Sequence, residues 1–183
     1  MERGEIENMN AYGTHMPILE SYIKAFRPVS VFEFGCGDFS TALFVRECRR
    51  VVSVEMQNEA WYSRMKEKHQ SDNNVELLLA LGRDPGLELL TSRFDLIFVD
   101  GHMQSRTRQC EIGAAHADTI IAHDTDQPCY HWHNIELGVG WIWIDIVSVR
   151  PWTSVMTRNP KVVEWTAQFK AQRYFDMEEK SYP

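Results

Sequence analysis

At 183 residues, the chain fits a single domain by the soft prior of roughly 150 residues per domain, and can bury a core without disulfides or a structural metal. Hydrophobic residues make up 44% and charged residues 25%, a balance that excludes wholesale disorder. Nineteen Lys+Arg against 26 Asp+Glu leave a net charge of −7, so the chain lacks the electrostatic footprint of a nucleic-acid or anionic-membrane binder.

The four cysteines, Cys36, Cys48, Cys110 and Cys129, form no CxxC pair, which argues against a zinc ribbon or a redox dithiol and suits a reducing compartment. Residues 1–10 are polar and acidic, unlike a secretory signal. The most apolar stretch, 141–149, is broken by Asp145, so no membrane span is expected. A cytoplasmic location is the expectation.

In chain order, 16–26 reads as a helix ended by Pro28, and 29–34 as a strand. A helix at 40–48, a strand at 50–55 and a charge-rich helix at 59–69 follow. Strand 75–81 leads through a Gly/Pro loop and a short helix near Leu87 to strand 94–100, helix 106–117 and strand 119–123. Short apolar runs alternating with helices predict βαβ units and a parallel sheet. Strand candidates 143–149 and 153–156 are separated only by Arg150, Pro151 and Trp152, a connection that only an antiparallel pair can make. Asn159 and Pro160 stop the sheet, and 161–177 reads as a closing helix. The prediction is a doubly wound α/β domain, with residues 1–12 expected to be flexible.

The loop after the first strand runs Glu33-Phe34-Gly35-Cys36-Gly37-Asp38-Phe39-Ser40-Thr41. Gly35 and Gly37 permit positive φ and let a ligand approach the main chain, with a helix N-terminus behind them. Glu33 stands where a carboxylate can face an ammonium group. Glu55, about 20 residues on, ends the second strand where an acid can hold ribose hydroxyls. A nicotinamide dinucleotide fits less well: Ser40 occupies the third-glycine region, and Glu33 would put negative charge near its phosphates.

Together with Phe94-Asp95-Leu96-Ile97-Phe98-Val99-Asp100-Gly101, these residues resemble the class I S-adenosylmethionine-dependent methyltransferases over roughly residues 16–156. The resemblance implies a Rossmann-like, mostly parallel, seven-stranded sheet with a C-terminal antiparallel hairpin. It implies that Glu33 and the Gly35/Gly37 backbone hold the methionine part of S-adenosylmethionine, Glu55 the ribose, and Asp84 the exocyclic amine of adenine. Asp100 is expected to join these residues in binding the cofactor.

Asp100 and Asp124 follow the fourth and fifth strands, where ligands of open parallel sheets gather. Adjacent strands would aim both carboxylates into one crevice, able with Thr125 or Asp126 to hold Mg²⁺ and lower the pKa of a substrate hydroxyl. This arrangement is similar to the metal-dependent O-methyltransferases, with Thr125 standing in place of a third ligand. Otherwise Asp124 caps the next helix and Asp100 bonds loop amides. His102 and His123 flank the crevice as candidate proton acceptors, His102 preferred. His131 and His133, two apart in sequence, point away from each other on a helix and read as substrate-lining or surface residues. The segment Thr14-His15-Met16-Pro17 is positioned to fold over the cleft.

Five of the six tryptophans, Trp132, Trp141, Trp143, Trp152 and Trp165, lie in the last third. They can build a stacking wall or a homo-oligomer interface, or simply cover the sheet. Val162, Val163, Trp165, Phe169 and Phe175 form an apolar stripe on the closing helix. The expected activity is methyl transfer from S-adenosylmethionine to a small-molecule hydroxyl, with no nucleic-acid or membrane partner. The alternative is a non-catalytic cofactor-binding or scaffold protein.

Overall fold

The computed structural model describes residues 13–82 and 86–174. Asp84, Phe175 and the expected flexible segment 1–12 lie outside the described residues. The helices are α1 (Met16–Phe26), α2 (Ser40–Glu47), α3 (Glu59–Lys68), α4 (Arg106–Gly113) and α5 (Pro160–Trp165). The strands are β1 (Ser30–Phe34), β2 (Arg50–Glu55), β3 (Val75–Leu79), β4 (Leu96–Val99), β5 (Thr119–His123), β6 (Ile142–Ile146), β7 (Thr153–Thr157) and β8 (Ala171–Tyr174).

The strands form one sheet in the order β3-β2-β1-β4-β5-β7-β6-β8. β1 to β5 run parallel, whereas β7 pairs antiparallel with both β5 and β6. The expected doubly wound sheet and terminal hairpin are therefore present, with β7 inserted between β5 and β6. Both faces are covered, as a parallel sheet requires. On one face Val31, Val51, Phe98, Ile121 and Val155 pack with Leu19, Phe44 and Val162 from the helices. On the other, Phe32, Phe34, Ile97 and Ile120 pack with Cys110 of α4 and with Trp132 and Trp143. Neighbouring residues such as Val31 and Phe32 serve opposite faces because strand side chains alternate.

Two expectations are corrected here. Among the described residues the sheet has eight strands rather than seven, and the described part of the expected closing helix 161–177 is helical only over α5. Asn159 starts that helix by accepting a hydrogen bond from the Lys161 amide, with Pro160 at its first turn. Beyond a short turn at Thr166–Gln168 the chain extends as β8, antiparallel to β6. β6 otherwise leaves a row of backbone donors and acceptors unpaired, and β8 satisfies them. The apolar stripe thus divides: Val162 is buried, and Trp165 and Phe169 stack edge-on against each other.

The tryptophans are also placed differently from an exposed aromatic wall. Trp132, Trp141, Trp143 and Trp152 are all buried within the chain, so covering the sheet is what they do. Among the described residues, no helix is long and apolar enough to cross a membrane. The four cysteines are free thiols.

Candidate functional site

The sheet order reverses between β1 and β4, and a crevice opens there beyond the strands' carboxyl ends. Phe34 is opposite Val99, so Gly35 and Asp100 continue side by side past the last pair. The Asp100 amide donates to Phe34 O at 2.8 Å, and the Gly35 amide to Val54 O at 2.8 Å. Gly35 has φ +90°, and a Cβ there would lie 2.5 Å from Asp100 O. No side chain fits at that position without moving the end of β4.

The cleft has a volume of about 490 Å³ and is lined by His15, the loop from Gly35 to Ser40, Glu55, Gln57, Asn58, Trp61 and Asp100. Three carboxylates border it, those of Asp38, Glu55 and Asp100, and no Lys or Arg is among its lining residues. Asp38 is held below the usual carboxylate range by its Lys68 hydrogen bond and by Lys68 and Arg64 outside the cleft. Trp61 is fixed in the wall by its indole N–H, which donates to Cys36 O at 2.8 Å.

Glu55 sits at the end of β2 with its Oε1 accepting from the Gln57 and Asn58 amides at 2.8 and 2.9 Å. Its Oε2 accepts from the Cys36 thiol at 3.3 Å, a group whose pKa burial pushes up, so that it stays a donor. These bonds fix the carboxylate in the wall of the cleft.

Glu33 is placed behind the cleft instead. It is fully buried, and its carboxyl accepts from Ser40, Thr41 and Ser53 hydroxyls at 2.5, 2.6 and 2.5 Å. Burial raises its pKa to about 7 against the opposing pull of those hydroxyls. Side chains on β1 alternate, and the face that Glu33 occupies is the one covered by α2. It therefore ties the glycine loop to the sheet from beneath and presents no oxygen to the cleft.

Asp100 and Asp124 do converge, but a side chain stands between them. Arg106, at the start of α4, places Nη2 2.9 Å from Asp100 Oδ1 and Nη1 2.9 Å from Asp124 Oδ2. Its Nε donates to Gly101 O and its Nη1 also to His123 O, each at 2.9 Å. The guanidinium, only 7% exposed, takes the bridging position envisaged for Mg²⁺. Asp124 adopts φ +59° and also accepts from the Tyr130 hydroxyl at 3.2 Å. Thr125 bonds Ser154 and Asp126 bonds the Trp152 amide, so neither supplements a magnesium shell. This donor set does not fit that ion.

The histidines are rearranged relative to expectation. His102 caps the turn at Met103–Ser105, its Nδ1 accepting from the Gln104 amide, and it is absent from the cleft lining. His123 is buried behind Asp100, with Nδ1 3.3 Å from Asp100 Oδ1 and Nε2 2.8 Å from Thr14 Oγ1. His131 and His133 are exposed. The imidazole that faces the cleft is His15, which sequence reasoning placed only within a covering segment. It is 2% exposed, and burial, with His123 beside it, lowers its pKa to about 4. Burial disfavours charge on Asp100, but the His123 hydrogen bond and the Arg106 guanidinium outweigh it and hold this carboxyl below its ordinary value.

No family model and no curated protein matches the chain. Solved structures do. An O-methyltransferase from Bacillus cereus in complex with SAH superposes with a TM-score of 0.64 at 16% identity, over 84% of this chain and 85% of that one. The cofactor-bound Rv0187 from MTB gives 0.59 at 19% identity, over 82% of each chain. N-methyltransferase NodS from Bradyrhizobium japonicum WM9 gives 0.58 at 13% identity, over 86% of this chain and 98% of that one. The neighbours thus include both O- and N-methyltransferases. The switch-point cleft, the inserted β7 and these superpositions agree that the chain has the fold of the class I S-adenosylmethionine-dependent methyltransferases.

Proposed function

We propose that the protein transfers a methyl group from S-adenosylmethionine to a hydroxyl oxygen of a small molecule. The observation that carries the reading is the charge of the cleft: three carboxylates and no Lys or Arg line it. A dinucleotide's pyrophosphate would meet repulsion there, whereas a sulfonium bearing an ammonium group meets attraction. The Gly35–Gly37 backbone would hold the methionine part and Glu55 the ribose hydroxyls, with Trp61 and Phe39 offering apolar surface. When bound, the cofactor supplies an electrophilic methyl group. Asp84 remains the residue proposed for adenine.

The protein's own contribution is orientation and the removal of one proton. Asp100, kept ionised by His123 and Arg106, would accept the hydrogen bond of the acceptor hydroxyl, align its lone pair with the methyl group, and take its proton as the O–CH3 bond forms and the S–CH3 bond breaks. An amine acceptor is disfavoured by the same carboxylate, which would stabilise the non-nucleophilic ammonium form. His123 holds Asp100 from behind and is a positioning residue. His102 holds its own turn and has no part in this scheme.

The test is turnover. Incubation with S-adenosylmethionine and panels of hydroxylated and amine acceptors should release S-adenosylhomocysteine only with hydroxylated ones, and Asp100→Asn should lower kcat by far more than it weakens cofactor binding. Cofactor binding without turnover on any acceptor would favour the non-catalytic alternative.

A further inference from the structure

His15, Asp100 and His123 come from three separate parts of the chain: the turn before α1, the end of β4 and the end of β5. The β4–β5 register sets Val99 opposite Ala122, so Asp100 and His123 follow as neighbours. The turn before α1 brings His15 over both, its ring 4.7 Å from that of His123 and nearly edge-on. One ligand atom from each of the three residues lies within 4.8 Å of the others.

Both ring nitrogens of His15 are buried and have no hydrogen-bond partner, a costly arrangement for a buried imidazole. Its Nδ1 stands 4.0 Å from Asp100 Oδ2, the oxygen that Arg106 does not take. Beside it, His123 has Nε2 2.8 Å from Thr14 Oγ1 and turns Nδ1 toward the carboxylates, 3.3 Å from Asp100 Oδ1 and 3.6 Å from Asp124 Oδ1.

We propose that His15, Asp100 and His123 bind one divalent transition-metal ion of the zinc type at the floor of the cleft. Two imidazoles and one carboxylate are a borderline-soft donor set that favours zinc-like ions over Mg²⁺. Donors about 2.1 Å from a tetrahedral ion stand about 3.4 Å apart, so small side-chain rotations close the set. Thr14 supplies the outer hydrogen bond that orients His123. Asp124 and Asp100 together offset the Arg106 guanidinium, and the fourth coordination position opens to the cleft. The site stands whether or not the protein transfers methyl groups.

Titrating the full-length, chelator-treated chain with Zn²⁺ alone against a chromophoric chelator should show one tightly held equivalent per chain. His15→Gln should weaken it by more than the roughly 10–100-fold that loss of an outer hydrogen bond costs, and Thr14→Val by that lesser amount. X-ray absorption of the zinc-loaded wild type should show two imidazoles, a readout that survives if a variant fails to fold. Mg²⁺ in large excess should not displace the ion. Absence of stoichiometric zinc overturns the proposal, as does binding unaffected by His15→Gln but lost in a His131→Ala/His133→Ala double variant, or an absorption spectrum without imidazole.

Discussion

Glu33 is the residue whose environment departs furthest from its sequence-based role. A carboxyl with an ordinary pKa near 4.5 when unfolded and about 7 when folded binds more protons in the folded state between those values. Stability therefore falls as pH rises through that window, by on the order of 3 kcal/mol in all, and is then flat. Glu33→Gln should remove that slope, so the wild type minus variant difference in unfolding free energy should decline from pH 4.5 to 7. A parallel pair of stability–pH curves would contradict it. Arg106 carries the complementary burden, since one guanidinium serves two carboxylates and two carbonyls. Arg106→Met should cost about 3–5 kcal/mol in chemical denaturation, because it leaves two charges uncompensated. Neither role is visible in a linear reading. Glu33 was legible as the acid at a strand end, but which face it takes depends on α2. Arg106 is ordinary as the first residue of a helix, and only the β4–β5 register gives it its partners.

At the scale of elements, the glycine loop is the part most constrained by its neighbours. In Gly35→Ala the new Cβ would meet Asp100 O at 2.5 Å and Gly101 Cα at 2.7 Å. Gly138 has a similar φ of +85° with nothing within 4 Å, so Gly138→Ala carries backbone strain without the clash. Thermal melting should show a clearly larger loss for Gly35→Ala, and only that variant should lose affinity for S-adenosylmethionine. Equal losses in both would mean that conformation alone matters at Gly35. The parallel strands were legible because each is a short run of Val, Ile, Phe and Leu ending in a polar residue. β8 was not: the sequence around Phe169 carries no strong strand run, and its structure is decided by the unpaired edge of β6. The same holds for the tryptophans, whose density in sequence says nothing of the side on which they are buried.

Across the whole molecule, the doubly wound sheet gathers strand-end residues distant in sequence into one acidic cleft. The fold and the glycine–Glu55–Asp100 frame could be read from spacing, since each follows a recognisable strand. His15 could not, because the turn that carries it reaches the cleft only through tertiary contacts of Thr14 with His123 and Pro151. The central claim is that this cleft binds a cationic methyl donor. Calorimetric titration of the full chain with S-adenosylmethionine tests it most directly. The account predicts saturable binding at one site per chain, lost in Glu55→Ala while that variant remains folded. No binding at millimolar cofactor, or binding indifferent to Glu55→Ala, would contradict it.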